Sequence, residues 1–201
     1  MSIQMVTRLD IDAPGAPQVA LIDAALEGLD EAGLRTRARD LGTAVGAGAV
    51  SRSYCHPYAL IGWHTGPIGV DIERVVACPK EFGPSISTPS EQAAGRWTTD
   101  DEIVSLWSSK EALSKALGDA LDYDPRRLDS PAGWPGGVSG PWRAASLDLP
   151  DGYCGWVCWR ARSDRDSCRR SQTAPIAAPS TITPPIRINQ VRNVNTTPMV
   201  P

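Results

Sequence analysis

Apolar and polar positions alternate most cleanly at Ile68-Gly69-Val70-Asp71-Ile72-Glu73. Period two is the signature of a half-buried strand, and it puts both carboxylates on one face. The apolar run Tyr58 to Trp63 predicts a strand before it, with His64-Thr65-Gly66-Pro67 as a hairpin turn joining the two and Ser51-Arg52-Ser53 as a short link upstream. Earlier in the chain, Ile3, Met5 and Val6 suggest a strand that ends at the Pro/Gly break of Ala13 to Pro17. Helical spacing takes over from Gln18 to Leu34 at Ala20, Leu21, Ala24, Ala25 and Leu29, and a second helical piece is expected over Arg35 to Val45, closed by Gly46 and Gly48.

Residues 74 to 98 read as irregular, with Pro79, Pro84 and Pro89, although Thr88-Pro89-Ser90-Glu91 has the form of a capping box. Thr99-Asp100-Asp101-Glu102 is a second one, with Asp100 and Asp101 suited to the positive end of a helix. That helix is predicted to reach Leu117 and stop at Gly118, with Ile103, Leu106, Leu113 and Leu117 as its core stripe and Trp107 at the edge. Glu111 and Lys115 fall one turn apart beside Trp107, and Lys110 lies within the apolar stripe, where a lysine must snorkel or meet an anion. A loop over Gly133 to Gly140 and two strands, Trp142 to Leu147 and Tyr153 to Trp159, close the ordered part as a hairpin over the helix.

Composition narrows the function classes. With 201 residues the chain can bury its own core, and its net charge of −3 argues against a general nucleic-acid binder, which carries a basic surplus. From Ser163 onward six prolines, five arginines and two aspartates replace the aromatic residues, so a low-order tail dispensable for folding is expected over 163–201. Five cysteines without a C-x-x-C pair read as ordinary thiols, and His56 and His64 lack a third ligand at metal spacing. No run of about 18 apolar residues occurs, and the start lacks the regions of a signal peptide. No membrane partner and a cytoplasmic location are therefore expected.

The candidate chemistry comes from combining two segments. Carboxylates one pleat apart, roughly 6.5 to 7 Å between Cα atoms, can share a cation. Alone, an Asp-x-Glu strand is most often a solvated face, and a Glu-Lys pair on a helix a surface ion pair. Together, IGVDIE (68–73) and WSSKEALSKALG (107–118) resemble the two signature motifs of the 4'-phosphopantetheinyl transferase superfamily, and the surrounding stretches resemble its longer, two-lobed, surfactin-synthetase-activating type.

The resemblance implies an α+β fold, a pseudo-twofold pair of small lobes, each an antiparallel sheet packed on a long helix. The lobes would be a shortened N-terminal one at 1–67 and a C-terminal one at 68–162. It implies a monomeric, magnesium-dependent enzyme, manganese being the alternative cation. The reaction would move the 4'-phosphopantetheine group of coenzyme A to a serine of an acyl, peptidyl or aryl carrier protein. Asp71, Glu73 and Glu111 would be the metal ligands, Glu111 and Lys115 the catalytic pair, and Ser51, Arg52, Ser53, Lys110 and Lys115 the coenzyme A contacts. At Arg52 the family more often has histidine; an arginine facing the 3'-phosphate and one pointing to solvent are both open. Arg35, Arg37 and Arg39 are either the first lobe's phosphate-binding helix face or a solvated one. The competing function is a degenerate homologue that binds coenzyme A or a carrier without transfer.

Overall fold

The computed structural model describes residues 6–13, 15–45, 48–119 and 123–161. Among the described residues, two antiparallel four-stranded sheets and five α-helices make a mixed α+β architecture. In the first sheet, β1 (Val6–Leu9), β2 (Gln18–Asp23), β4 (Tyr58–His64) and β3 (Ala49–Cys55) lie side by side in that order. In the second the order is β5 (Ile68–Arg74), β8 (Tyr153–Arg160), β7 (Trp142–Ser146) and β6 (Val138–Ser139). Short α1 (Ala24–Glu27) and longer α2 (Glu31–Ala44) follow β2, while α3 (Phe82–Ile86), α4 (Pro89–Ala94) and α5 (Asp100–Leu117) follow β5. The element series β2-α2-β3-β4, with strands ordered β2-β4-β3, has its counterpart in β5-α5-β7-β8, ordered β5-β8-β7.

Several sequence expectations change here. Gln18 to Asp23 is a strand, because Val19, Ala20, Leu21 and Ile22 are buried on both faces and such a run carries no period to separate strand from helix. Ser51 to Ser53 lie inside β3, which pairs with β4 in the register Ser51↔Gly62, Arg52↔Ile61, Ser53↔Leu60. The expected hairpin between β4 and β5 does not form. β4 pairs with β2 and β3, β5 pairs with β8, and residues 65–67 carry the chain from one sheet to the other. Residues 82–86 and 89–94 form short helices within the stretch read as irregular. Both capping boxes are present, with Thr88 and Glu91 reciprocating at α4 and Thr99 and Glu102 at α5. The β7–β8 hairpin also forms as expected. The strand positions Ile3 and Met5 and the tail from Ser163 lie outside the described residues.

The main core joins the sheets. Ile68, Val70 and Ile72 of β5 pack with Val19, Leu21, Leu60, Val157 and Trp159, and burying each aliphatic side chain contributes about 1.5–3 kcal/mol. A second cluster, with Ile22, Leu34, Ala38 and Ile61, seats α2 on the first sheet. The third seats α5 on the second sheet through Ala112, Leu113, Ala116, Ala144 and Cys158.

Helix α5 lies on β5 at very short range. The expected stripe is only partly right: Leu106 and Leu113 are buried, but Leu117 is 41% exposed. Beside these leucines the buried residues include Ser108, Ser109, Ala112 and Ala116, small residues that let helix and strand approach. Gly69 completes this fit, since a Cβ there would sit 1.9 Å from the Ala112 carbonyl oxygen and 2.6 Å from the Ala116 nitrogen. No rotamer change relieves a clash with backbone. Gly69→Ala is expected to push α5 away and destabilise the fold by at least the ~1–3 kcal/mol typical of overpacking. The measurement is a urea unfolding curve, and a midpoint equal to that of the parent contradicts the close approach.

Candidate active site

The face of β5 that carries Gly69 also carries Asp71 and Glu73, so the close approach of α5 brings Glu111 and Lys115 to the carboxylates. Lys115 Nζ donates to Asp71 Oδ1 at 2.7 Å, to the Val70 carbonyl at 3.2 Å and to Ser53 Oγ at 3.3 Å. Ser53 in turn donates to Asp71 Oδ1 at 2.8 Å, and the Val70 N–H donates to Ser51 Oγ at 3.1 Å. These contacts occupy the edge of β5 that faces away from β8. Strand edges need such cover for their unpaired N–H and C=O groups.

Each carboxylate of the site is held by one oxygen. Trp107 Nε1 donates to Glu73 Oε1 at 3.1 Å, and Tyr123 OH donates to Glu111 Oε1 at 2.6 Å. Asp71 is 2% exposed, and its second oxygen, Oδ2, is buried without a hydrogen-bond partner. Burial, followed by the charge of Asp71, pushes the Glu73 carboxyl up to about 7, against the smaller opposing effects of the Trp107 hydrogen bond and the Lys115 charge. Cavities of about 250 Å³ flank the row, one beside Glu73, Phe82 and Trp107, the other beside Ser114, Leu117 and Tyr123.

Two of the expected phosphate contacts, Lys110 and Arg52, are hydrogen-bonded within the protein. Lys110 is fully buried and donates to Glu91 Oε2 at 2.6 Å, to the Ile86 carbonyl at 2.6 Å and to the Pro125 carbonyl at 2.8 Å. An ammonium has three hydrogens, so none is left for a phosphate. Glu91 also accepts from the Thr88 and Ser130 N–H groups, so this pair fastens α4 and the turns after α5 onto the helix. Arg52 is partly buried against α2. Alternation in β3 turns it away from Ser51 and Ser53 toward α2, where its Nε donates to the Ala38 carbonyl at 3.2 Å and its guanidinium lies against Gly42.

The α2 arginines are engaged locally. Arg35 pairs with Glu31 and stacks over Tyr54, Arg37 pairs with Glu27, and Arg39 donates to Thr36. Ser51 and Ser53 bind the edge of β5 and its aspartate, while Lys115 is engaged by three acceptors. Among the described residues, no group of three or more His, Cys, Asp or Glu side chains is arranged to hold a metal ion. The expected three-carboxylate cage is thus not preformed, and each of its carboxylates is engaged by a donor from the protein. Tyr123 lies in a stretch, 116–125, that resembles the family's second lobe, but sequence alone assigns it no role at the site.

The stretch that supplies β5, α5 and the turn carrying Tyr123 is also the stretch with known relatives. Residues 67–135 match the 4'-phosphopantetheinyl transferase superfamily. No curated protein matches the chain. The superfamily match supports a transferase of the phosphopantetheinyl class, and its span includes Asp71, Glu73, Glu111, Lys115 and Tyr123 while leaving out β1 to β4. No helix among the described residues is long and apolar enough to cross a membrane.

Two measurements check this geometry. Removing Lys110 strands Glu91 in the interior, so Lys110→Met is expected to cost about 3–5 kcal/mol. A phosphate-binding role would leave stability unchanged and raise the KM for an anionic substrate instead. Glu73 gives a pH signature: between its ordinary value of 4.5 and about 7 the native protein binds its proton more tightly than the unfolded chain does. Its contribution to stability therefore falls as pH rises through that window and levels off above it. Calorimetry in a chelator should show the parent losing more stability than Glu73→Gln between about pH 5 and pH 8; equal losses contradict the raised value.

Proposed function

We propose that the chain transfers the 4'-phosphopantetheine group of coenzyme A to a serine of an acyl, peptidyl or aryl carrier protein, releasing adenosine 3',5'-bisphosphate. The observation that carries this reading is the meeting of Asp71 and Glu73 with Glu111 and Lys115 on one face, within the segment matching the superfamily. The repeated β-α-β-β series supports a pseudo-twofold pair of lobes, 6–67 and 68–161, with coenzyme A in the cleft between them. The α2 arginines and Arg52 lie in the first of these.

The donor set suits a hard divalent cation. Asp71 Oδ2 is buried and unpartnered, and Glu73 is forced toward its neutral form beside Asp71, so negative charge is concentrated where no protein cation neutralises all of it. Asp71, Glu73 and Glu111 would hold Mg2+ or Mn2+ through the oxygens left free by Lys115, Trp107 and Tyr123. Held there, such a cation would supply positive charge against the charge that builds on the pyrophosphate oxygens.

The chain's own residues do the rest. Glu111 accepts the proton of the carrier serine as that oxygen attacks the phosphorus next to the pantetheine arm, and the bond to the adenosine bisphosphate breaks. Lys115 holds positive charge beside Asp71, and by releasing one of its three acceptors it can donate to the leaving phosphate. Ser53 and the Val70 carbonyl keep the ammonium at that position meanwhile.

The test is incubation with coenzyme A, Mg2+ and a panel of apo carrier proteins, read by intact mass. A mass gain equal to the phosphopantetheine group is expected on at least one carrier and is expected to vanish in a chelator. Asp71→Asn and Glu111→Gln should each lower the rate by roughly 100-fold or more with the fold intact, as for loss of a metal ligand or general base. Binding of coenzyme A without modification of any carrier would instead support a binding module.

A further inference from the structure

Glu111 is held by a single donor. Lys115, one turn along the helix, turns to Asp71, and among the described residues only Tyr123 bonds the Glu111 carboxylate. The terminal torsion of a glutamate is soft, so without a fixed donor its oxygens turn freely. We infer that Tyr123 is a positioning residue: by holding Oε1 of Glu111, it aims the free Oε2 at the reacting centre. This rests on the transferase reading above.

Three observations support the role. The hydrogen bond is short, at 2.6 Å, and the phenol is partly buried. The Tyr123 ring stacks on that of Trp107, with centroids 6.4 Å apart and planes 30° apart, and Trp107 holds Glu73 in the same manner. The two rings thus form one shelf with a donor for each glutamate. The turn that follows Tyr123 is itself anchored, because Pro125, two residues on, accepts from the buried Lys110. The first lysine of the WSSKEALSK segment therefore acts on the site at one remove, through Pro125.

Tyr123→Phe keeps the ring and removes the hydroxyl. Mn2+ affinity, read by electron paramagnetic resonance without coenzyme A, is expected to weaken about 10-fold, and kcat to fall about 10- to 100-fold, the range for loss of an outer-shell partner. KM for coenzyme A should change by less than about 2-fold, since the hydroxyl acts on the chemistry rather than on binding. In a Glu111→Gln background, Tyr123→Phe should leave Mn2+ affinity unchanged, because the tyrosine acts through the glutamate. This cycle separates positioning from a general loss of structure. Equal Mn2+ affinity and equal kcat in Tyr123→Phe and an active parent overturn the role, and so does an undiminished effect in the Glu111→Gln background. A parent that neither binds Mn2+ nor modifies a carrier removes the transferase reading, and the role of Tyr123 with it.

Discussion

The Lys115 ammonium is the constraint on which the rest depends. It occupies the uncovered edge of β5, where it satisfies the Val70 carbonyl, neutralises a nearly inaccessible Asp71 and meets Ser53 from the other sheet. A strand with one unpaired edge, a buried carboxylate and a seam between two sheets would each be costly alone. One cation from α5 meets all three demands. The site is therefore part of the joint between the sheets as well as a feature of the second one, and the serines of β3 contribute to it from the far side of that joint.

The short distance between α5 and β5 makes this possible. Glycine and small residues at the contact let a lysine cross to the strand edge, and the same contact holds Glu111 beside the ring shelf of Trp107 and Tyr123. Polar serines 108 and 109 flank Ala112 on a buried side of the helix that would ordinarily be leucine-rich. The price of proximity is the Ser108 hydroxyl, buried without a partner.

Much of the second half was legible in the sequence. β5 announced itself because one of its faces is apolar and the other is not, and α5 because its capping box and terminal glycine bracket a long helical pattern. The first half was harder. β2 is apolar on both faces and so has no period, and β3 alternates serine with arginine, both polar, because one face meets a hydrogen-bonded seam and the other meets a helix. The hairpin expected at residues 64–67 failed for a different reason: strands adjacent in sequence were assigned to different sheets, which is a property of the tertiary core and of no local pattern. For Lys110 the sequence left snorkelling and an anion both open, and the structure gives it an anion. The anion is Glu91, whose capping-box role was visible but whose second partner lies 19 residues away.

The small-residue contact between α5 and β5 also limits how the molecule can move. Long interdigitating side chains can hop between rotamers and let a helix slide by fractions of a turn; alanine and glycine have no rotamers to exchange, and the backbone atoms themselves are the bearing surface. A ligand entering beside Asp71 thus cannot be accommodated by sliding α5 along its strand. Adjustment is confined to the tips of Lys115, Glu111 and Glu73 and to the sheet that carries Ser51 and Ser53, so compliance resides in the seam while the helix serves as a fixed rail.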